Sequence, residues 1–218
     1  MNKLTVLKAI ARQSQDLIYE KGMTVFVQFS QPADNNKGHI RDQFIQLFPD
    51  PTRILEIGSG SGQHAVFMAK TLPWLTWQPT DRGDYFPGLV NNIERLGPDN
   101  IKTPHYLDIS STGWPDTDHI YLANVLHIMP AALLTPLFQG AAAVLADTGK
   151  LCIYGPFKYD GEFTTASNAS FDEWLKARDP LSGIRDIETL QQLAADQGLS
   201  LAQDNPMPAN NQFLVFER

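Results

Sequence analysis

From Arg53 onward the apolar positions switch repeatedly between two periods. Arg53-Ile54-Leu55-Glu56-Ile57-Gly58 is a short β-branched run that ends in glycine. Gln63 to Leu72 changes to helical spacing, with Ala65, Val66, Met68, Ala69 and Leu72 on one face and Pro73 as a stop. Leu75 to Pro79, Ile101 to Ile109, His119 to Ile128 and Lys150 to Phe157 read as further strands. Tyr85 to Leu96, Ala131 to Ala146 and Asp186 to Gln197 read as helices. Leu199 to Gln203 and Gln212 to Glu217 form a terminal pair of strands about the turn-rich Asp204 to Asn211. Strands alternating with helices predict a doubly wound α/β domain, a mostly parallel sheet with helices on both faces. The Val/Leu/Ile-rich fourth run is expected at its centre. Phe29 to Phe48 and Lys158 to Asp179 break the alternation, and are expected to be functional loops or lids beside the strand ends.

The first 22 residues differ from the rest. Leu4, Leu7, Ile10, Leu17 and Ile18 fall near helical spacing, with Lys3, Lys8 and Arg12 between them and no continuous apolar run. They are expected to be an N-terminal extension, with the domain proper over residues 23–218. No apolar run approaches the ~20 residues that span a bilayer.

Composition narrows the function classes. A 218-residue chain suits one well-cored domain. A net charge of -7 disfavours non-specific binding to phosphate backbones, so no nucleic acid is expected as partner. Cys152 is alone and cannot form an internal disulfide, which fits a cytoplasmic protein. The histidines, at 39, 64, 105, 119 and 127, include no i, i+4 pair, and no metal site is expected.

The densest chemistry is Glu56-Ile57-Gly58-Ser59-Gly60-Ser61-Gly62, between a strand and a helix. Glycines there let a ligand approach the backbone, and such turns bind nucleotides in α/β sheets. A dinucleotide turn is G-x-G-x-x-G; here Gln63 stands where its third glycine would be. Glu56 is poor company for a pyrophosphate. It can instead orient the turn, or face a cationic ligand through water. Asp81 follows Gly62 by 81 − 62 = 19 positions, close to the ~20 of a ribose-binding acid. Asp108, at the end of the third strand, could accept from an adenine amino group with the Ile109 backbone beside the ring; a turn role is as well supported. Asn124 and His127, on the fourth strand, would line the crevice at the sheet's switch point. Asn124 could hold an amino group and His127 could act as a general base. A histidine on an apolar strand is more often structural.

These residues resemble the motif series of class I S-adenosylmethionine-dependent methyltransferases: Ile54 to Gly62, then Asp81, then Asp108. More narrowly, the chain resembles a family of small methyltransferase-like proteins long labelled only as a domain of unknown function. That likeness runs from about Phe29 to Arg218. It is carried by Asn35-Asn36-Lys37, Gln63-His64, Trp77 to Asp81, Asn124 to Ile128, Tyr154 to Phe157, Phe163 to Asn168, Arg178-Asp179-Pro180, Gly183 to Asp186 and Met207 to Asn211. It implies a seven-stranded sheet with an antiparallel last strand, and S-adenosylmethionine bound over the strand ends by Glu56, Gly58, Ser59, Gly60, Gly62, Asp81, Asp108, Ile109 and Asn124. It brings no substrate.

Methyl transfer from a sulfonium requires alignment of a nucleophile and exclusion of water. A hydroxyl, thiol or ammonium acceptor also needs a base, for which His127 leads and Tyr154 follows. Phe163, Asn168, Phe171 and Trp174 would close over a small-molecule acceptor, although Phe171 and Trp174 suit a lid's own core as well. Arg185 is expected to pair with Asp186 or Asp179 rather than with a ligand. A cofactor-binding module without turnover is the alternative, and a nicotinamide oxidoreductase a weaker third.

Overall fold

A computed structural model describes residues 26–218. The expected extension, residues 1–22, lies outside the described residues. Six helices are described: α1 (Gln31–Leu47), α2 (Gln63–Thr71), α3 (Phe86–Leu96), α4 (Leu134–Val144), α5 (Ala166–Arg178) and α6 (Ile187–Ala195). The main sheet has seven strands in the order β3 (His105–Tyr106), β2 (Leu75–Asp81), β1 (Thr52–Ile57), β4 (His119–Ala123), β5 (Lys150–Gly155), β10 (Asn211–Glu217) and β9 (Ser200–Met207). Strands β1 to β5 pair in parallel; β10 runs antiparallel to both β5 and β9. The doubly wound sheet and its reversed last strand are as expected.

The two faces can be read from single strands. Successive side chains on a strand point to opposite sides. In β4, Tyr121 joins the core under α1, α2 and α3, while Ile120 and Leu122 join the core under α4 and α6. In β5, Cys152 and Tyr154 belong to the first core, Leu151 and Ile153 to the second. Both faces are covered, so the strands are apolar on both sides, which is why periodicity read so clearly there. The strand order reverses at β1, which has β2 on one side and β4 on the other. Ligands in open α/β sheets bind at such a switch point, beyond the strands' carboxyl ends.

Several boundaries differ from expectation. Phe29 to Phe48 is not a loop but carries α1, capped by the Ser30 side chain on the Ala33 N–H with a proline in the first turn. Its buried residues are Asn36, Ile40 and Phe44, one per turn, a stripe too thin to stand out among polar neighbours. Lys158 to Asp179 is also ordered. Strands β6 (Phe157–Tyr159), β7 (Glu162–Phe163) and β8 (Arg185–Asp186) form a small second sheet, and α5 follows β7. The third strand shrinks to His105–Tyr106 because Pro104 has no N–H to give the ladder. The fourth stops at Ala123, since Asn124 turns left-handed at φ 59°. Strand β9 runs on to Met207, past the expected Gln203.

Candidate functional site

The glycine turn is held from below by a buried carboxylate. Glu56 is 2% exposed and lies on the α1–α3 side of β1. Its Oε2 accepts from Ser59 Oγ at 2.8 Å and from Trp77 Nε1 at 2.9 Å. Burial pushes its pKa up to about 7, against the opposing pull of Trp77 and Ser59. Of the two roles open to Glu56, the geometry supports orienting the turn. Ser59 is part of the same tie: its Oγ accepts from the Thr80 N–H, and its own N–H donates to the Thr80 carbonyl. The Gly62 N–H donates to the Ser59 carbonyl, and Gly62 caps α2. Gln63, in place of a third glycine, accepts from Ser61 Oγ and the Ser30 N–H, which sews α1 to the turn.

Two glycines do different work. At Gly58, φ is 71° and an added Cβ would sit 2.6 Å from Val125 Cγ2, so the turn after β4 packs directly on the glycine turn. At Gly60, φ is 56° and an added Cβ would meet nothing within 4 Å, so this residue faces open space. Beside it, Asp81 Oδ2 accepts the Gly60 N–H at 2.6 Å and Oδ1 accepts the Arg82 N–H at 2.7 Å. Each oxygen keeps a lone pair for a ligand hydroxyl. Burial raises the Asp81 pKa, partly offset by those two N–H groups.

Asp108 lies beyond the short third strand, not at its end. Its carboxylate accepts from the Ser110 N–H and Oγ, which hold its pKa down, and pairs with Arg82 at 3.1 Å. Its carbonyl accepts from Ser111. Asp108 is thus a turn residue in geometry, and Arg82, which sequence reasoning did not single out, bridges the ends of β2 and β3. The Ile109 side chain is buried in the core on the α4 side.

Asn124 donates its backbone N–H to the Tyr154 carbonyl and directly follows β4, next to Val125, which packs on Gly58. A left-handed asparagine at a strand end is the kind of local strain that clusters at functional sites. His127 is held in the turn that follows, not on β4 as expected. The carbonyls of Leu126, His127, Ile128 and Met129 accept in order from Arg185 Nε, the Gly183 N–H, Ser182 Oγ and Arg185 Nη2. Arg185 therefore serves carbonyls, Leu181's included, and pairs with neither Asp186 nor Asp179. The segment is anchored in turn by buried Asp172 on α5, which accepts the Ile184 N–H and pairs with Lys176.

His127 is 6% exposed, and its ring stands edge-on to Phe171 of α5, with centroids 5.4 Å apart. Burial, and then Arg185, lower its pKa to about 4, so it is neutral at pH 7. Phe171 stacks on the half-exposed Trp174, and Arg178 lies over the Trp174 ring. Asn168, also buried, ties the start of α5 to the Asn210 carbonyl. His127 and Tyr154 flank β5 on opposite faces. Tyr154 faces α1, whereas a Cβ on its neighbour Gly155 would lie 3.6 Å from His127 Nδ1. Around Tyr154 lies a polar cluster that sequence reasoning missed. His64 Nε2 meets Asn36 Oδ1 at 2.7 Å, and Tyr121 Oη meets His64 Nδ1 at 3.3 Å. The pairs Asn35-Asn36 and Gln63-His64 carry the sequence signal for it, but it is hidden because Asn36 lies on α1, whose polar stretch does not announce a helix.

Among the described residues no group of three or more His, Cys, Asp or Glu is placed to hold a metal, and no helix is long and apolar enough to cross a membrane. Cys152 is buried in the sheet, which pushes its thiol pKa up.

Solved structures define the class. The O-methyltransferase family 2 protein of Planctomyces limnophilus, in complex with apigenin, matches with a TM-score of 0.72 at 18% identity, over 86% of this chain and 60% of that one. Human N-acetylserotonin methyltransferase, in complex with S-adenosylmethionine, gives 0.71 at 16%, over 86% and 53%. A Nostoc punctiforme putative O-methyltransferase gives 0.71 at 19%, over 99% and 67%. The fold is therefore that of class I methyltransferases. In sequence, a protein-L-isoaspartate O-methyltransferase of Chromohalobacter salexigens is 28% identical over 97 residues, 43% of this chain and 41% of that protein. The chain thus spans under half of that relative and little more than half of the first two structures. The family profile of a protein of unknown function, DUF938, matches residues 27–218, and the chain belongs to that family.

Proposed function

We propose that the crevice binds S-adenosylmethionine and that the protein transfers its methyl group to a small-molecule acceptor on the His127 side. One observation carries the cofactor reading. The Asp81 carboxylate occupies the Gly60 N–H, where a phosphate-binding turn would need its anion. A negative group there repels a phosphate and suits a diol. The residues fit the cofactor otherwise: Gly60 opens to ligand, Asp81 has acceptors for two ribose hydroxyls, and Asn124 stands at the switch point to accept from an amino group. Gly58, Ser59, Gly62 and Glu56 shape the turn; Asp108 and Ile109 border the adenine end.

Bound, the cofactor supplies a methyl group already activated on a sulfonium. The chain's part is then to orient and to keep water out. A neutral His127 imidazole accepts a hydrogen bond from the acceptor's hydroxyl or thiol and takes its proton. No carboxylate acts on this ring and Arg185 disfavours its charged form, so it suits an acidic acceptor such as a phenol or thiol. Phe171 and Trp174 give that side an aromatic wall. The complex of the Planctomyces protein with apigenin supports a small-molecule acceptor.

The depth of His127 under Phe171 favours a second reading, a cofactor-binding module without turnover. Incubation with methyl-labelled S-adenosylmethionine and fractionated cell extract separates the two. Label is expected in a metabolite fraction. Retained cofactor affinity with no label in any fraction would support the module instead.

A further inference from the structure

The turn that carries His127 lies between two glycines of opposite use. Gly58 admits it, since a Cβ there would collide with Val125. Gly155, the last residue of β5, leaves room in front of it. Gly155 is buried, yet a Cβ built on it would meet one atom beyond its chain neighbours within 4 Å, His127 Nδ1 at 3.6 Å, an ordinary contact. The backbone does not call for glycine either. Gly155 is not among the residues with positive φ, and β5 pairs with β10 without a shift of register from Lys150 to Gly155. Glycine in a strand costs backbone entropy and packs nothing. Where no bulge or bend needs it, it marks the close approach of a ligand or of another backbone. A Cβ here would meet no other backbone, which leaves a ligand.

His127 supplies the other half. Its carbonyl is taken by the Gly183 N–H, but its ring makes no hydrogen bond among the described residues. The buried side-chain atoms sealed off without a partner are Trp114 Nε1 and Gln212 Oε1. The ring nitrogens of His127 are not among them, so they reach solvent. Phe171 holds the ring edge-on from α5, and Nδ1 is the nitrogen turned toward Gly155. The Asn124 N–H on the Tyr154 carbonyl sets the ends of β4 and β5 side by side, so this space lies at their carboxyl ends. Tyr154 itself points to the α1 side of the sheet and takes no part in it.

We propose that Gly155 is the specificity-determining floor of the acceptor site, its lack of a side chain leaving the place from which the acceptor's nucleophilic atom meets His127 Nδ1. This rests on the reading of the protein as a methyltransferase. A side chain at 155 and the acceptor's hydroxyl or thiol compete for the same space. The test uses the full chain, methyl-labelled S-adenosylmethionine and the cell-extract fraction that takes label with the wild type. A methyl group at 155 fits the fold, so Gly155→Ala is expected to melt no lower than wild type. Its affinity for S-adenosylhomocysteine, read by calorimetry, is expected to stay within about twofold. Its initial rate of transfer to that fraction is expected to fall about tenfold, and that of Gly155→Val about a hundredfold. Equal transfer by wild type and Gly155→Val overturns the assignment of Gly155 alone. So does a loss of S-adenosylhomocysteine affinity in step with the loss of transfer, or a Gly155→Ala that melts well below wild type, since the space would then be filled already. No label in any fraction with the wild type overturns the methyltransferase reading, and this inference with it.

Discussion

The two sides of the crevice are tied together over very different distances along the chain. On the glycine-turn side, Ser59 reaches Glu56 three residues away and Gly60 reaches Asp81 twenty-one away. On the His127 side, Ser182 reaches Ile128 across 54 residues and Arg185 reaches Leu126 across 59. The first side is one strand–turn–helix unit with the strand next to it. The second is a turn whose carbonyls are satisfied only when a distant segment folds back. A ligand that stays the same from one reaction to another suits the local, stiff side. A site for a variable acceptor suits the side made from loops and an added helix.

The largest expected effect tests whether the two sides are separate at all. Gly58→Ala drives a Cβ into Val125, the first buried residue of the His127 turn, from a backbone at φ 71°. A loss of about 3 kcal/mol in urea unfolding is expected from the clash and the left-handed strain together. Adding Val125→Ala should restore part of it; no restoration would mean that strain alone acts and the sides are not coupled there. Arg185→Met is next. It removes the donor for the Leu126, Met129 and Leu181 carbonyls, and a loss of about 2 kcal/mol is expected. Affinity for S-adenosylhomocysteine should stay within about twofold, and a larger drop would join the sides energetically. Asp81→Ala should do the reverse, weakening cofactor binding at least tenfold, about 1.4 kcal/mol, with little change in the melting temperature.

The smallest effect is a slope. His64, His119 and His127 all have pKa values lowered by burial to about 4. The unfolded chain takes up these protons first, so stability is full above pH 6.5 and falls as the pH drops toward 4. Glu56, raised to about 7, acts oppositely: the folded chain takes its proton first, and acid favours folding between pH 7 and 4.5. Three histidines against one glutamate leave a net loss on acidification. His127→Phe should flatten that slope by about one proton. An unchanged slope in urea melts between pH 6.5 and 4.5 would show that its ring is not held neutral.

Legibility from sequence followed the same division. The glycine turn, Asp81 and the alternation of strands and helices depend on local conformation and period, which a sequence displays. The reversed last strand came through resemblance rather than period. Helix α1 was missed because its buried stripe is Asn36, Ile40 and Phe44, a polar residue leading two apolar ones; Ser30 ahead of Pro32 was the overlooked start signal. Helix α5 was missed likewise, with buried Asn168 and Asp172 ahead of Leu175. Arg185 was read by charge, as a partner for nearby acids, whereas three carbonyls claim it. Nothing in a sequence announces that use, since every residue offers the same carbonyl.

The central claim is that the turn from Gly58 to Gly62, with Asp81 on the Gly60 N–H, cups an adenosyl compound without phosphates. Isothermal titration of the purified chain with S-adenosylmethionine, S-adenosylhomocysteine, NAD and ATP tests it most directly. Uptake of the first two and none of the phosphate-bearing pair is expected. Uptake of NAD or ATP with no heat from either sulfur compound would contradict it.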